Sequence, residues 1–240
     1  MTISVVIPAY NESARLPETL RKIAEYAPRC PRRIVEVIVV DDGSSDDTAG
    51  VASRVTIPLQ VRTISYSRNA GKGYAIRRGV IEAKGALVLI SDADLSTPIA
   101  EVEKLLEALE SHDVAIGSRA VDRSLVKRRQ AWLRERIGRV GNRLMRAITG
   151  IPFRDTQCGF KLLRADRARE IFRVAVVDRF AWDVELLLLA GLQGCTVAEV
   201  PVLWFNSEGS RVNVLRDPPK VLWDIARLRL RYGRFRDLRR

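Results

Sequence analysis

Five short apolar runs rich in valine and isoleucine recur through the first half of the chain, and a helix-like segment separates each from the next. The runs are residues 3–8, 34–42, 61–66, 86–91 and 113–118, and the predicted helices cover 12–27, 46–54, 72–83 and 98–110. Short apolar strands that alternate with amphipathic helices are typical of a mostly parallel sheet covered on both faces. The sequence therefore predicts an α/β fold.

Each predicted strand ends in polar or glycine-containing residues. These strand ends read AYNE, DDGSSDD, SRNAGKG, SDAD and GSR. In an open α/β sheet, ligands bind beyond the carboxyl ends of the strands. We therefore expect the five strand ends to line one crevice.

The strand end with the strongest chemical signal is SDAD, where Asp92 and Asp94 follow a run of four apolar residues. In an extended segment, residues i and i+2 point to the same side, so the two carboxylates would converge. Like charges that close repel each other unless a cation or a hydrogen-bonding turn compensates them. Hard divalent cations prefer carboxylate oxygens. The simpler alternative is a helix N-cap with one spare acid before the helix 98–110.

The 240 residues suffice for one domain, and their net charge of +12 is distributed unevenly. Residues 1–120 carry 15 basic and 16 acidic side chains, whereas residues 121–240 carry 26 and 13. The basic excess therefore lies in the second half, where it indicates an anionic partner: nucleic acid, an anionic membrane surface or a phosphorylated lipid.

Two segments of the second half predict arginine-rich amphipathic helices. Within 125–149 the apolar positions are Leu133, Ile137, Val140, Leu144 and Ile148, and in the C-terminal segment 218–240 they are Val221, Ile225, Leu228 and Tyr232. An apolar stripe beside a basic face is typical of a helix that lies on a membrane. A helix that packs on the protein core with a solvated basic face has the same pattern.

Several classes of protein are disfavoured by missing signals. The N-terminal residues have no basic segment followed by an apolar one, so we expect no signal peptide, and no apolar stretch approaches the ~18 residues of a spanning helix. Cys30, Cys158 and Cys195 lack metal-site spacing and indicate buried thiols in a reducing compartment. The glycines around Lys72 fit neither the dinucleotide fingerprint nor the Walker spacing.

Read together, the motifs PAYNE, VVDDGSSDDT, NAGKGYAIRRG, SDADLSTP, GSR and DTQCGFK, between residues 8 and 161, resemble those of family 2 glycosyltransferases with the GT-A fold. Within that family the sequence is similar to the polyprenyl-phosphate hexosyltransferases, and DTQCGFK is similar to the dolichyl-phosphate β-glucosyltransferases. The resemblance covers the chain apart from roughly its last 20 residues. It implies a single GT-A domain, with a nucleotide-sugar-binding half at 1–120 and an acceptor-binding half at 121–240, and we expect the amphipathic helices of the second half to face a membrane.

The resemblance also implies roles for particular residues. Asp92 and Asp94 would hold Mg²⁺ or Mn²⁺ against the donor diphosphate. Lys72 would lie near the nucleotide, and Arg119 and Arg211, the latter in the segment SEGSRV, would contact phosphates. The residues that would line the base and ribose are Pro8, Ala9, Tyr10 and Glu12, completed by Asp41 and Asp42.

The implied reaction is an inverting transfer of glucose from UDP-glucose to a polyprenyl phosphate. Such a phosphate is largely ionised at neutral pH and needs little help from a base. Asp155 is the candidate base if the acceptor is a hydroxyl group, although DTQC is equally suited to shape the sugar pocket. His112, the one histidine, is interpreted as structural.

Two alternatives remain open at this point. Mannosyl members often have glutamine where this chain has Ser96, so GDP-mannose is a less favoured donor. The basic half could instead belong to a nucleic-acid-binding protein, but acidic strand ends would repel nucleic acid. We expect an enzyme in the cytoplasm, attached peripherally to the cytosolic face of a membrane, with a nucleotide-sugar donor, a polyprenyl-phosphate acceptor, an anionic membrane surface and no nucleic acid as partners.

Overall fold

The computed structural model describes residues 1–128, 132–205 and 217–233. Its main sheet has seven strands in the order β3-β2-β1-β4-β7-β5-β8. The strands of this sheet are β1 Ile3–Ala9, β2 Ile34–Asp41, β3 Gln60–Ser65, β4 Leu87–Ile90, β5 Val114–Ser118, β7 Lys161–Arg164 and β8 Val197–Pro201. A second, two-stranded sheet pairs β6 Val126–Arg128 with β9 Trp204–Phe205.

In the part of the chain that the structure describes, eight α-helices connect and cover these strands. They are α1 Leu16–Tyr26, α2 Thr48–Arg54, α3 Lys72–Glu82, α4 Val102–Ala108, α5 Trp132–Thr149, α6 Ala165–Val174, α7 Trp182–Leu192 and α8 Asp217–Tyr232. Along each core strand, successive side chains point alternately into two apolar clusters, one on each face of the sheet. One cluster is covered by α1, α2 and α4, and the other by α3 and α5 to α8. This three-layer arrangement confirms the predicted α/β fold.

The register of the sheet brings the strand ends together at one edge. Ala9 pairs with Asp41, and Val6 pairs with Ile90, so β1, β2 and β4 run parallel and end side by side. β7 runs antiparallel between β4 and β5, and its first residue, Lys161, pairs with Ile90. The predicted mostly parallel sheet is therefore confirmed, with β7 as its antiparallel member. Because β7 lies between two strands of the first half, both predicted halves share one sheet.

Some predicted boundaries differ from the observed ones. Helix α1 begins at Leu16, not at residue 12, because Asn11 adopts a left-handed turn (φ 54°) that docks onto the loop after β2. The helix predicted over 98–110 begins with a 3-10 turn, Ile99–Glu101, before α4. Cys158 and Cys195 are buried as expected, whereas Cys30 is only partly so.

Within the helix predicted over 125–149, residues 126–128 form the strand β6, and Trp132–Thr149 form the helix α5. β6 takes residues 126–128 because they pair with β9. In the described part of the predicted stripe, Ile148 packs against the core and Leu144 is 45% exposed, while Met145 is buried. The side chains of Leu133, Ile137 and Val140 lie outside the described residues.

Helix α8 has two apolar faces. Ile225 and Leu228 are buried in the core, a burial that stabilises the fold by about 1.5 to 3 kcal/mol for each side chain. Trp223 and Leu230, at 67% and 87% exposure, lie on the opposite side. The predicted membrane-facing stripe was thus wrong at Ile225 and Leu228, because these residues cover the apolar core of the protein.

Among the described residues, no helix combines the length and the apolar character required to cross a bilayer.

Candidate functional site at the carboxyl edge of the sheet

The turn after β4 presents Asp92 and Asp94 at the edge of the sheet. The amide of Ser91 donates to the carbonyl oxygen of Val6, so the chain leaves the sheet beside the end of β1. The turn then closes through a bond from the Leu95 amide to the carbonyl oxygen of Asp92, 3.2 Å, with Leu95 at a positive φ of 45°. A leucine in the left-handed region is strained, and such strain persists only where the surroundings fix it. One such contact is the Thr19 hydroxyl, which donates to the carbonyl oxygen of Ala93 at 2.5 Å.

Lys72, the first residue of α3, donates from Nζ to Oδ1 of Asp92 at 2.5 Å. Burial alone would raise the pKa of Asp92, but the cations Lys72, Lys161 and Arg119 hold it below its usual value. Asp92 is therefore an anion at neutral pH. The structure places Lys72 beside Asp92, and its expected position near the nucleotide stays a prediction.

Each acid of the pair has one oxygen that accepts no hydrogen bond from a described residue. Oδ1 of Asp92 binds Lys72, and Oδ1 of Asp94 accepts from the Ser96 amide at 2.9 Å. Oδ2 of each side chain accepts no such bond, and both residues are partly exposed. Two carboxylate oxygens at a solvent-accessible edge are the ligands that Mg²⁺ and Mn²⁺ prefer, so the residues fit a divalent cation that shares its shell with phosphate and water.

In the described part of the chain, no cluster of three or more His, Cys, Asp or Glu residues has the geometry of a metal site.

The residues predicted to line the base and ribose lie at the ends of β1 and β2. Tyr10 is 39% exposed directly after β1, while Ala9 is buried. The backbone amide of Glu12 donates to the Thr48 hydroxyl at 2.8 Å, and the carboxylate of Glu12 pairs with Arg15. Asp41 accepts from the Ser44 amide at 3.2 Å. Pro8 is the residue before Ala9 in β1. These side chains line the strand ends as expected, and their contacts with a nucleoside stay a prediction.

Asp42 is more deeply engaged than its predicted role suggests. Its carboxylate is only 4% exposed and accepts from the Tyr66 hydroxyl, the Asn69 amide group and the backbone amides of Ala70 and Gly71. These bonds fasten the segment 66–71, which leads directly into Lys72. Gly71 itself has φ 114°, and a side chain there would collide with the carbonyl oxygen of Asp178. Asp42 thus fixes the segment that positions Lys72.

At the end of β5, Arg119 and Asp155 form a two-point ion pair. Nε of Arg119 lies 2.7 Å from Oδ2 of Asp155, and Nη2 lies 2.9 Å from Oδ1. The guanidinium also lies over the ring of Trp204, 5.6 Å from its centroid. Although burial opposes the shift, Arg119 lowers the pKa of Asp155 to about 2. A carboxylate with so low a pKa, and with both oxygens in an ion pair, is poorly suited to act as a general base. The sequence had left this role open for Asp155.

Four residues of the site were missed by sequence reasoning. Lys161 is fully buried, donates to the carbonyl oxygen of Cys158 and lies 4.9 Å from the Trp182 ring centroid. Burial raises the pKa of Asp183 to about 6, although Lys161 and Lys72 act against it. Glu199 accepts from the Ser118 hydroxyl and the Asp155 amide. Gly159 lies directly against the carboxylate of Asp92.

Of two further predicted residues, one lies outside the described part of the chain and the other is structural. Arg211 and the rest of the segment SEGSRV lie outside the described residues. His112 is bonded at Nδ1 to the carbonyl oxygen of Ala108, 3.0 Å, at the end of α4, as a structural histidine would be.

The doubly covered α/β sheet, with the antiparallel β7 inserted beside β4 and the paired acids at the end of β4, has the GT-A fold. The solved structures that resemble it include glucosyl-3-phosphoglycerate synthase from Mycobacterium tuberculosis in complex with Mn²⁺, UDP and phosphoglyceric acid. That structure has a TM-score of 0.70 and 21% identity, and the alignment covers 97% of this chain and 78% of that one.

Sequence comparison gives the family. The sequence model of glycosyl transferase family 2 matches residues 4–172, and the chain belongs to this family. It is 36% identical over 245 residues to the dolichyl-phosphate beta-glucosyltransferase of Homo sapiens, an alignment that covers 96% of this chain and 75% of that protein. The protein of the same name from Saccharomyces cerevisiae (strain ATCC 204508 / S288c) is 32% identical, over 98% of this chain and 77% of that protein.

Proposed function

We propose that this enzyme transfers glucose, with inversion, from UDP-glucose to a dolichyl-type polyprenyl phosphate at the cytosolic face of a membrane. The names of the relatives above support the sugar and the lipid acceptor. The observation that carries the proposal is the pair Asp92 and Asp94 at the carboxyl edge of the sheet beside Lys72, each with one oxygen that accepts no hydrogen bond from a described residue.

Asp92 and Asp94 would hold the divalent cation. When bound, the cation neutralises the donor diphosphate and stabilises the charge that grows on it as the glycosidic bond breaks. Lys72 keeps Asp92 ionised and oriented, and Asp42 fixes the segment before Lys72. The strand ends of β1 and β2 would bind the nucleoside.

The chemical step is a displacement at the anomeric carbon. An oxygen of the acceptor phosphate forms the new bond, and the bond from the anomeric carbon to the β-phosphate oxygen breaks, so that UDP leaves with the electron pair. Arg119, whose guanidinium is oriented by Asp155, would bind phosphate oxygens and stabilise their charge, as Arg211 would from its own segment. Because a phosphate acceptor is already ionised, no residue has to remove a proton from it.

The direct test is a screen of donors and acceptors with the purified chain. UDP-glucose and GDP-mannose would each be offered with a short polyprenyl phosphate or the corresponding polyprenol, in chelator and after addition of Mg²⁺ or Mn²⁺. We expect transfer from UDP-glucose to the phosphate only, dependent on added metal. Preference for GDP-mannose would overturn the donor, preference for the polyprenol would overturn the acceptor, and full activity in chelator would overturn the metal site.

The basic second half supports attachment to an anionic membrane surface rather than to nucleic acid. On α8, Trp223, Arg227 and Leu230 share the outward face, with Arg231 beside them. Tryptophan and arginine together favour the headgroup region of a bilayer. On α5, Arg143 is exposed, and Arg134 and Arg139 are two further arginines that the sequence places outside the apolar stripe.

Flotation with anionic liposomes, compared with retention on heparin, separates the two partners. We expect flotation, its loss when Arg134, Arg139 and Arg143 are replaced by Glu, and a weaker loss in the double variant Trp223→Ala, Leu230→Ala. Binding to nucleic acid at physiological salt without any affinity for liposomes would overturn the membrane proposal.

A further inference from the structure

Gly159 brings the backbone of a distant segment directly against the carboxylate of Asp92. A Cβ atom added at Gly159 would lie 2.2 Å from Oδ2, 2.5 Å from Cγ and 2.6 Å from Oδ1 of Asp92. These separations are far below the ~3.5 to 4.0 Å at which non-bonded heavy atoms make favourable contact. No side chain fits at residue 159 while Asp92 keeps its position.

The requirement for glycine comes from space, not from the backbone conformation. The φ angle of Gly159 lies outside the left-handed region, unlike that of Gly71. Alanine can therefore adopt the local backbone, and the carboxylate of Asp92 is what stands in its way.

The chain on both sides of Gly159 is anchored. The carbonyl oxygen of Cys158 accepts from the buried Lys161, and the carbonyl oxygen of Phe160 accepts from the Gly117 amide at 2.8 Å. Cys158 and Phe160 are each only 2% exposed. If a side chain were added at residue 159, the partly exposed carboxylate of Asp92 would move more easily than this backbone.

Lys72 holds the other oxygen of the same carboxylate, at 2.5 Å from Oδ1. The position of the Asp92 carboxylate is thus fixed from two directions, by the ammonium group of Lys72 in α3 and by the backbone of Gly159 in the segment before β7. We propose that Gly159 is a positioning residue that orients Asp92 for the divalent cation and the donor diphosphate. This inference rests on the proposed function, since it concerns the same metal site.

The first test measures binding without sugar transfer. Calorimetry would follow Mn²⁺ binding to the UDP-saturated protein for wild type, Gly159→Ala and the control Gly141→Ala. A Cβ at Gly141, in α5, would meet nothing within 4 Å. We expect Gly159→Ala to bind Mn²⁺ about 10- to 100-fold more weakly, as is typical when the support of a metal ligand is disturbed, and Gly141→Ala to match the wild type.

Steady-state kinetics with the lipid acceptor give a second readout. We expect kcat of Gly159→Ala to fall and the Mn²⁺ concentration for half-maximal rate to rise, while KM for the polyprenyl phosphate stays within about twofold, because Asp92 touches the donor side of the reaction. A change confined to the KM for the acceptor would contradict the inference, because the effect would then lie on the acceptor and not on the metal and the donor.

A thermal-stability cycle tests the collision itself and needs neither metal nor substrate. Gly159→Ala should lower Tm in the wild-type background and change it much less in an Asp92→Ala background, where the obstructing atoms are gone. Equal Tm shifts in both backgrounds, or Mn²⁺ binding by Gly159→Ala equal to that of wild type, would overturn the inference. A wild-type protein that binds no Mn²⁺ with UDP would instead overturn the proposed metal site, on which the inference rests.

Discussion

The ends of β4 and β5 each place an aspartate beside a cation, but the two pairs are built differently. Asp92, after β4, accepts a hydrogen bond from Lys72 on one oxygen, and its other oxygen packs against Gly159 and accepts no hydrogen bond from a described residue. Asp155, which faces the end of β5, gives both oxygens to Arg119 and also accepts from the backbone amides of Arg119 and Gln157. Asp92 is partly exposed, whereas Asp155 is 6% exposed.

The difference separates a carboxylate that can bind a ligand from one that orients a side chain. An anion with a free, accessible oxygen can take a cation into its coordination shell. An anion with both oxygens bound can only hold its partner, here Arg119, in one geometry. We therefore expect changes at the β4 end to affect chemistry and changes at the β5 end to affect stability and the placement of Arg119.

The largest effect is expected for Asp94→Asn. The amide keeps the size of the side chain but removes the charge that a divalent cation requires, so kcat/KM should fall by about 10² to 10³-fold or more. Tm should stay close to that of wild type. Transfer assays with Mn²⁺ and thermal unfolding would measure both, with the exposed Glu110→Gln as a control for loss of one surface charge. Unchanged turnover would remove the metal role from the β4 end.

Asp155→Asn should reduce the stability of the fold more than Asp94→Asn does, and the activity less. Loss of the two-point pair leaves Arg119 partly buried without its anion, which should lower the free energy of unfolding by about 2 to 3 kcal/mol. Activity should fall about tenfold through a higher KM for the acceptor phosphate. Asp92→Asn, measured beside it, should lose nearly all activity and change stability by less. If the two variants lost activity and stability in equal proportion, the contrast between the two strand ends would be wrong.

The pH dependence of the free energy of unfolding tests the role of Asp155 at the β5 end. The pKa of Asp155 is about 2 in the folded protein, and that of an unfolded aspartate is about 3.9, so the unfolded chain takes up the proton first. The pair therefore stabilises the fold above pH ~4, and this contribution, roughly 2 kcal/mol, is lost as the pH falls toward 2. Urea unfolding between pH 2 and 6 should show this loss in wild type and not in Asp155→Asn. Parallel curves would mean that another carboxylate is responsible.

Sequence reasoning reached the β4 end more completely than the β5 end, for a physical reason. Asp92 and Asp94 directly follow an apolar run, so local pattern and chemistry coincide. Gly159 belongs to the motif DTQCGFK, but its contact with Asp92 depends on the insertion of β7, and the contacts of Glu199 depend on the pairing of β8, neither of which a local pattern encodes. A signal did exist for Asp183, which with Glu185 is one of two acids in the otherwise apolar helix α7, because buried charges in such a helix need a partner.

The amphipathic helices mark another limit of sequence reasoning. Periodicity predicted α5 and α8 as helices, but a stripe such as that of Ile225 and Leu228 looks the same whether protein or lipid covers it. Only the packing of α8 against the core distinguishes this buried face from the outward face with Trp223 and Leu230.

The smallest effect, expected for Glu199→Gln, tests how the β5 end is supported. Glu199 accepts from the Ser118 hydroxyl at 2.8 Å and from the backbone amides of Arg154 and Asp155 at 2.8 and 2.7 Å. Glutamine keeps the shape but turns one acceptor oxygen into a donor, so one of these bonds is lost. The free energy of unfolding should fall by about 1 kcal/mol.

Glu199 acts on Arg119 only indirectly, through the hydroxyl of the preceding residue Ser118 and through the backbone of Asp155. Glu199→Gln should therefore raise the acceptor KM by no more than about threefold and leave Mn²⁺ binding unchanged. Ser118→Ala removes a hydroxyl that donates to Glu199 and also accepts from the amides of Ala120 and Val121, and this variant, too, should leave Mn²⁺ binding unchanged. Weaker Mn²⁺ binding by Glu199→Gln would mean that the two strand ends are coupled. The separation between a ligand-binding aspartate at β4 and an orienting aspartate at β5 would then fail.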